Sequence, residues 1–161
     1  MRKDSGIKLI VWILFFEIIG LFLGLLTEEN IHSWYEGLDK SILTPPGWVF
    51  SLVWSILYAF LAIVGFTLWQ NRHKPQNKTV LRLYLIQLIM NWLCTPLFFQ
   101  LHWLGFSFLW IVVMVALNAA LILMTIKNKQ KEITLLLTPY FFWLIFASYL
   151  NGIIWILNTQ A

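Results

Sequence analysis

Residues 83–126 read LYLIQLIMNWLCTPLFFQLHWLGFSFLWIVVMVALNAALILMTI and carry no acidic or basic side chain other than His102. A membrane-spanning helix needs about 20 mostly apolar residues. These 44 residues are therefore too many for one helix and suit two helices joined by a tight turn. We place the turn near residues 100–103, where polar and amphipathic side chains gather as they do at a membrane interface.

Three further apolar runs flank this stretch, at residues 9–26, 47–71 and 133–161, and only Glu17 interrupts the first. The basic start resembles a signal peptide, but the apolar run is long and lacks a small-residue cleavage site, so we expect a retained helix. The sequence thus predicts one all-α integral membrane domain over residues 1–161, a five-transmembrane-helix bundle. The approximate helices are 7–26, 46–70, 80–100, 103–126 and 133–157.

Prolines and a threonine mark helix ends and irregularities. Thr44 is a candidate N-cap for the second helix, with Pro45 at its first position. Pro96 and Pro139 fall inside later spans, where they should kink their helices.

The basic residues predict an orientation. Ten of the eleven lie in the N-terminal tail and in the second and fourth loops: Arg2, Lys3, Lys8, Arg72, Lys74, Lys78, Arg82, Lys127, Lys129 and Lys131. The first loop holds Lys40 among four acidic residues. Because basic loops stay in the cytoplasm, we expect a cytoplasmic N-terminus and a C-terminus on the far side. This placement also argues against a nucleic-acid-binding patch.

Composition excludes several other classes. The chain is 60% hydrophobic and only 11% charged, too apolar for a soluble domain. A single cysteine, Cys94, excludes an intrachain disulfide, and His32, His73 and His102 lie too far apart to predict a metal site. No phosphate-binding loop or hydrolase nucleophile motif is present.

Polar side chains at membrane depth are the candidates for function. Gln87, Asn91 and Thr95 share one face of the third helix. Similar stripes run along the second and fifth helices: Ser51, Trp54, Ser55, Tyr58 and Ala62, and Trp143, Ala147 and Asn151. Either packing between helices or a slot for a flat hydrophobic ligand would explain them. Trp54 and Trp143 are the candidates for stacking on an aromatic ligand.

Two features of the first helix leave alternatives open. Glu17 could form a structural hydrogen bond with Gln87 or Asn91, take part in a proton step, or contact a ligand. Gly20 and Gly24 form a GxxxG motif, which serves either a dimer face or close packing within the bundle.

Several ordered motifs resemble a known family. They are Trp34-Tyr35 with Leu38 and Lys40, Pro45–Phe50 with Trp54 and Leu57-Tyr58, Gln87-Leu88 with Asn91, Phe98-Phe99, and Leu137–Tyr140 with Trp143, Phe146-Ala147, Leu150-Asn151 and Leu157-Asn158. Together they resemble the translocator protein family, also called tryptophan-rich sensory proteins or peripheral benzodiazepine receptors. The resemblance runs from the first loop to the C-terminal helix.

The resemblance implies a five-helix membrane protein, commonly a homodimer, of which the bacterial members sit in the cell membrane. It implies ligands such as protoporphyrin IX, haem, and isoquinoline or benzodiazepine compounds, with the tetrapyrrole a ligand rather than a resident cofactor. Carried over residue by residue, the pocket comprises Tyr35, Trp54, Tyr58, Gln87, Asn91, Trp143 and Ala147. Porphyrin propionates could then reach the first loop or Lys40.

The resemblance leaves three functions open: a receptor or sensor, which we prefer, a light-dependent protein that degrades protoporphyrin, and a transporter of lipophiles. Cys94 stands where the third helix of the family often has a tryptophan, and Trp92 should point elsewhere, which counts against catalysis. Ser41 and Leu43 also depart from the usual first loop. No Lys or Arg follows Tyr149, so sterol binding is not expected.

Overall fold

The computed structural model describes residues 3–159, with side chains from Ser5 onward. Five α-helices make up most of it: α1 (Lys3–Ile31), α2 (Gly47–Gln70), α3 (Pro75–Thr95), α4 (Leu104–Lys127) and α5 (Lys131–Asn158). All five are long and apolar enough to cross a membrane, which confirms the predicted all-helical bundle. Arg2, part of the predicted basic tail, lies outside the described residues.

Some helices extend beyond the apolar runs that predicted them. α1 continues through Glu28 and Glu29, and α3 begins at Pro75 rather than near residue 80. Proline suits a first helical position because its missing N–H would be unpaired there anyway. Hydropathy detects only the part of a helix that suits hydrocarbon, so it does not reveal charged end turns.

The predicted start of α2 is wrong. The helix begins at Gly47 after an extended Pro46 (ψ 150°), and no side chain caps it. The Thr44 hydroxyl is buried without a hydrogen-bond partner among the described residues. The physical reason is that a residue before proline avoids the helical conformation, so Pro45 cannot be helical in front of Pro46.

The reversal between α3 and α4 lies where it was predicted. Pro96 opens a π-helical turn, Pro96–Gln100, in which the Leu101 N–H donates to the Pro96 carbonyl at 3.0 Å. His102 then adopts a positive φ of 56°, and α4 begins at Leu104. α5 runs through Pro139 without interruption.

The helices pack around α2, which contacts α1, α3 and α5, while α4 packs mainly on α5. Thr125 of α4 and Thr134 of α5 share a hydrogen bond of 2.9 Å at one end of that antiparallel pair. At the other end, a Cβ added to Gly152 would lie 2.9 Å from the Phe108 ring, so glycine permits close approach. Much of α1 remains exposed along its outer face.

Candidate ligand-binding site

A buried chain of hydrogen bonds joins α2, α3 and α5. The Tyr58 hydroxyl donates to Asn91 Oδ1 at 3.1 Å. Asn91 Nδ2 donates to the Tyr140 hydroxyl at 3.0 Å, and Gln87 Nε2 donates to the same oxygen at 3.2 Å. Each of the four side chains is buried. Hydrogen bonds strengthen where water is excluded, so this network fixes the three helices relative to one another.

Tyr58 owes its position to a glycine on the neighbouring helix. A Cβ added to Gly20 of α1 would lie 2.6 and 2.8 Å from two carbons of the Tyr58 ring. The ring therefore occupies the space that a larger residue would fill. A Cβ added to Gly24, one turn later, would have no atom within 4 Å, so the two glycines do not act as one packing face.

Four rings form what we call the aromatic cluster: Trp54, Tyr58, Tyr140 and Trp143. The Trp54 ring centroid lies 5.5 Å from that of Tyr58 and 6.5 Å from those of Tyr140 and Trp143. The two indoles meet edge to face at 89°. Phe50 packs against the other side of Trp143, with centroids 5.6 Å apart. Such offset and perpendicular contacts are favourable for aromatic rings.

Polar atoms beside the cluster retain unused hydrogen-bonding capacity. Gln87 Oε1 and Trp143 Nε1 are buried and have no partner among the described residues. Asn151 Oδ1, about two turns beyond Trp143 on α5, is also buried without one. A buried polar group without a partner costs free energy. Gln87 Oε1 and Trp143 Nε1 therefore supply one acceptor and one donor that a ligand at the cluster could satisfy.

The structure brings five of the seven sequence-predicted site residues together: Trp54, Tyr58, Gln87, Asn91 and Trp143. Ala147 is half-buried one turn beyond Trp143 on α5. Tyr35 lies elsewhere, in a short 3-10 helix (Tyr35–Gly37), and its ring packs on Phe98 and Phe99 at 6.1 and 5.5 Å. Burial raises the pKa of the Tyr35 phenol, so it stays protonated at neutral pH.

The first loop is fastened to the end of α5. Asn158 accepts from the Asp39 N–H through Oδ1 at 3.0 Å and donates to the Asp39 carbonyl through Nδ2 at 2.9 Å. The loop also holds its own shape, because Lys40 Nζ donates to the carbonyls of Tyr35, Glu36 and Leu38 at 2.7–3.0 Å. An ammonium group has three N–H donors. All three donors of Lys40 are thus used within the loop, and its contact with porphyrin propionates stays a prediction.

Two other polar assignments change. Tyr140 accepts two of the hydrogen bonds in the network, yet sequence reasoning placed it only in a family motif. Its position three residues before Trp143, on the stripe that continues to Ala147 and Asn151, was the signal that could have identified it. Of the alternatives for Glu17, the hydrogen bond to Gln87 or Asn91 is wrong, since the side chain of Glu17 lies near Ser55 of α2. A proton step and a ligand contact stay predictions.

The tryptophan of α3 faces away from the aromatic cluster. The Trp92 ring packs on Phe16 of α1 at 5.9 Å, and Cys94 packs against the hydrophobic core of the bundle. The cluster therefore holds two tryptophans, and neither comes from α3.

Two half-open grooves lie outside the cluster, with volumes of about 440 and 470 Å³. Both run along α1, and neither is lined by any of the seven predicted site residues. Within the cluster, Tyr58 and Tyr140 are buried, whereas Trp54 and Trp143 are half-buried, so the indoles are the rings that a ligand could reach.

Comparison with known proteins shows which family the chain resembles. The TspO/MBR family model matches residues 12–156. The chain is 34% identical to the tryptophan-rich protein TspO of Archaeoglobus fulgidus, over 95% of this chain and 98% of that protein. It is 33% identical to the tryptophan-rich protein TspO of Bacillus cereus, over 98% and 99%. It is 32% identical to the human translocator protein, over 85% and 82%.

The matched region runs from Trp12 on α1 to Ile156 on α5, so it includes every residue of the aromatic cluster and its hydrogen-bond network. Five spanning helices and this match together make the chain a multi-pass integral membrane protein, and it belongs to the TspO/MBR family.

Proposed function

We propose that the protein is a membrane receptor or sensor that binds protoporphyrin IX, haem or similar flat hydrophobic ligands at the aromatic cluster. The observation that supports this most strongly is the coincidence of stacking rings with unused polar atoms. Trp54 and Trp143 offer indole surfaces, and Trp143 Nε1 with Gln87 Oε1 offers a donor and an acceptor beside them. Ligand pockets commonly combine such apolar walls with a few placed polar groups.

We infer that the first loop moves when a ligand enters. A macrocycle is larger than any of the rings that now fill the cluster, and the loop is fastened by Asn158 at the end of α5. We infer that binding exchanges ring–ring contacts for ring–ligand contacts while the loop opens and recloses. Conformational coupling of this kind suits a sensor, because ligand occupancy then changes the surface that the loop presents.

Light-dependent degradation of protoporphyrin is the second candidate. One feature favours it: the Trp54 and Trp143 indoles lie 6.5 Å apart, so a ligand at the cluster would be close to two oxidisable rings. In that reaction the excited macrocycle would react with dioxygen, and an indole could supply an electron. Cys94 in place of a third indole, and Trp92 turned toward Phe16, weigh against it. A transporter remains a third, less supported candidate.

The experiment is a titration of the purified protein with protoporphyrin IX, in the dark and under illumination. Saturable quenching of tryptophan fluorescence in the dark, with porphyrin absorbance unchanged in light, is the result expected for a receptor. Light-driven loss of absorbance that disappears in a Trp54→Phe/Trp143→Phe variant would instead support degradation. Absence of saturable quenching would overturn the tetrapyrrole proposal altogether.

The family resemblance also supports a homodimer in a bacterial cell membrane. Gly20 is engaged with Tyr58 inside the bundle, which leaves Gly24 as the part of the GxxxG motif open to a second copy. We keep the homodimer as a proposal, to be tested by the mass of the protein in detergent with Gly24→Leu as the variant.

A further inference from the structure

An apolar groove of about 440 Å³ runs between α1 and α3, over the surface of α2. One wall carries Val11 and Phe15 of α1, and the other carries Leu85 and Leu88 of α3. On the floor, a Cβ added to Gly65 would lie 2.7 Å from the Tyr84 hydroxyl and 3.0 Å from the Trp12 ring. Because glycine has no side chain, Tyr84 and Trp12 pack close to the α2 backbone at Gly65, and the groove stays open above them.

The groove continues into a second, more polar one of about 470 Å³. The two share Val11, Trp12 and Trp69, and the second is also lined by Lys8 and Arg72. The apolar groove therefore opens next to Lys8 and Arg72, and we call this end the basic mouth. No acidic side chain is among the described residues that line either groove.

Arg72 is held in place at this mouth. Its Nη1 donates to the Trp69 carbonyl at 2.8 Å, and its guanidinium carbon lies 4.7 Å from the centre of the Trp69 ring. A cation over an indole face is attracted to it, which fixes the group without neutralising its charge. The remaining guanidinium donors can then bind an anion in a forked geometry.

On both α1 and α3, a lysine lies about one helical turn before the apolar residues of the groove wall, toward the basic loops. Lys8 precedes Val11 and Phe15 at helical spacing, so it continues their stripe by one turn. Lys78 precedes Leu81 and Leu85 in the same way on α3. All three cations, Lys8, Arg72 and Lys78, belong to the end of the bundle where the basic loops lie.

We propose that this groove is a binding site for an anionic phospholipid, with one acyl chain between α1 and α3 and the phosphate among Lys8, Arg72 and Lys78. The charge and the shape argue for the same occupant, because an acyl chain fits an apolar channel and basic pockets between spanning helices attract anionic headgroups. The site is separate from the aromatic cluster and does not depend on the proposed receptor function.

A second copy of the chain suits the groove less well. In a twofold dimer the same patch faces itself. The three cations of one copy would then meet the same three cations of the other, which is unfavourable unless an anion lies between them.

The test is native mass spectrometry of the delipidated protein, titrated with phosphatidylglycerol and with phosphatidylcholine of identical acyl chains. The wild type should prefer phosphatidylglycerol by at least about tenfold, since each basic residue near a headgroup contributes about fivefold. A Lys8→Gln/Arg72→Gln/Lys78→Gln variant should lose that preference. The matched control, Lys127→Gln/Lys129→Gln/Lys131→Gln, removes the same charge from an exposed loop at the same end and should keep it.

A second variant tests the apolar part. Val11→Trp fills the groove from an exposed position and should reduce the binding of both lipids, whereas Val113→Trp, on the exposed face of α4, should not. Equal affinity of the wild type for the two lipids would overturn the proposal. So would an equal loss of preference in the control triple variant, or a Val11→Trp protein that becomes monomeric with unchanged lipid binding.

Discussion

Asn91 illustrates how one amide side chain can satisfy two neighbouring helices in an apolar interior. It accepts from Tyr58 of α2 and donates to Tyr140 of α5, so both sides of the amide are used. Gln87, one turn away, uses its Nε2 on Tyr140 and leaves its Oε1 without a partner among the described residues. Asn91 thus uses both polar atoms of its amide within the bundle, whereas Gln87 retains one acceptor that a ligand could use.

Removing the Tyr140 hydroxyl should destabilise the bundle. In Tyr140→Phe, two buried amide donors lose their common acceptor, and the expected cost is about 1–3 kcal/mol in the free energy of unfolding. Denaturant unfolding in detergent micelles, followed by tryptophan fluorescence, measures it. Tyr149→Phe is the control, because among the described residues that exposed hydroxyl forms a hydrogen bond only with Ser41. Equal stability of the two variants would contradict the role assigned to the network.

A substitution at Gly20 should displace the Tyr58 ring, while the same substitution at Gly24 should not. Gly20→Ala places a Cβ 2.6 Å from a ring carbon, so the expected destabilisation is about 1–3 kcal/mol together with weaker porphyrin binding. Gly24→Ala meets no atom within 4 Å and should be neutral or slightly stabilising, as alanine favours helix. Thermal unfolding of both variants decides, and a Gly20→Ala protein as stable as Gly24→Ala would refute this packing.

At the scale of elements, the first loop packs on the turn between α3 and α4. The loop's short 3-10 helix packs through Tyr35 on Phe98 and Phe99 of the π-helical turn. Trp34 stacks on His102 at 3.8 Å, and Asn158 fastens the loop to α5. A further hydrogen bond of 3.1 Å joins the Ser41 and Tyr149 hydroxyls. The loop is therefore held at four places, and the contacts through Asn158 and Tyr149 lie on the helix that carries Trp143.

Releasing the Asn158 contact should loosen the loop on that side. In Asn158→Ala the Asp39 N–H loses its acceptor, so its hydrogen exchange should speed up at least about fivefold, and bound porphyrin should dissociate faster. Hydrogen exchange with mass spectrometry measures the first effect. Thr159→Ala is the control, since the hydroxyl of Thr159 donates to the Trp155 carbonyl of α5 and, within residues 3–159, to no atom of the first loop. Unchanged exchange at Asp39 would show that other contacts hold the loop.

On the scale of the whole molecule, the loops with basic residues lie at one end of the bundle, and the first loop lies at the other. The α2–α3 and α4–α5 connections approach each other there, where Gln130 Nε2 donates to Asn77 Oδ1 at 2.8 Å. The charge distribution predicts that this end is cytoplasmic. The aromatic cluster and its loop would then open toward the far side of the membrane.

This orientation can be tested by labelling single cysteines from outside the cell. In a Cys94→Ser background, Leu101→Cys in the exposed α3–α4 turn should react with a membrane-impermeant maleimide on intact spheroplasts. Lys129→Cys, in the exposed α4–α5 loop, should react only after permeabilisation. The opposite pattern would mean that the charge distribution does not set the topology.

The five crossings and the turn at residues 100–103 followed from uncharged length and loop charge, because hydrocarbon imposes those properties on any spanning helix. The face shared by Gln87 and Asn91 followed from helical spacing. Three features could not be predicted in this way: the start of α2, the partner of Glu17 and the contacts of Lys40. Each depends on which atoms meet across the loop or between helices. Periodicity says which face a residue occupies and does not name its neighbour.

The central claim, that the aromatic cluster binds a tetrapyrrole, is tested most directly by the dark dissociation constant of protoporphyrin IX, read from the shift of its own absorbance band. We compare Trp54→Leu/Trp143→Leu with the control Trp69→Leu/Trp103→Leu, which alters two exposed tryptophans outside the cluster. The account predicts binding at least about tenfold weaker in the first variant, because stacking on two indoles is lost, and wild-type affinity in the second. Unchanged affinity in the first variant, or an equal loss in both, would contradict it.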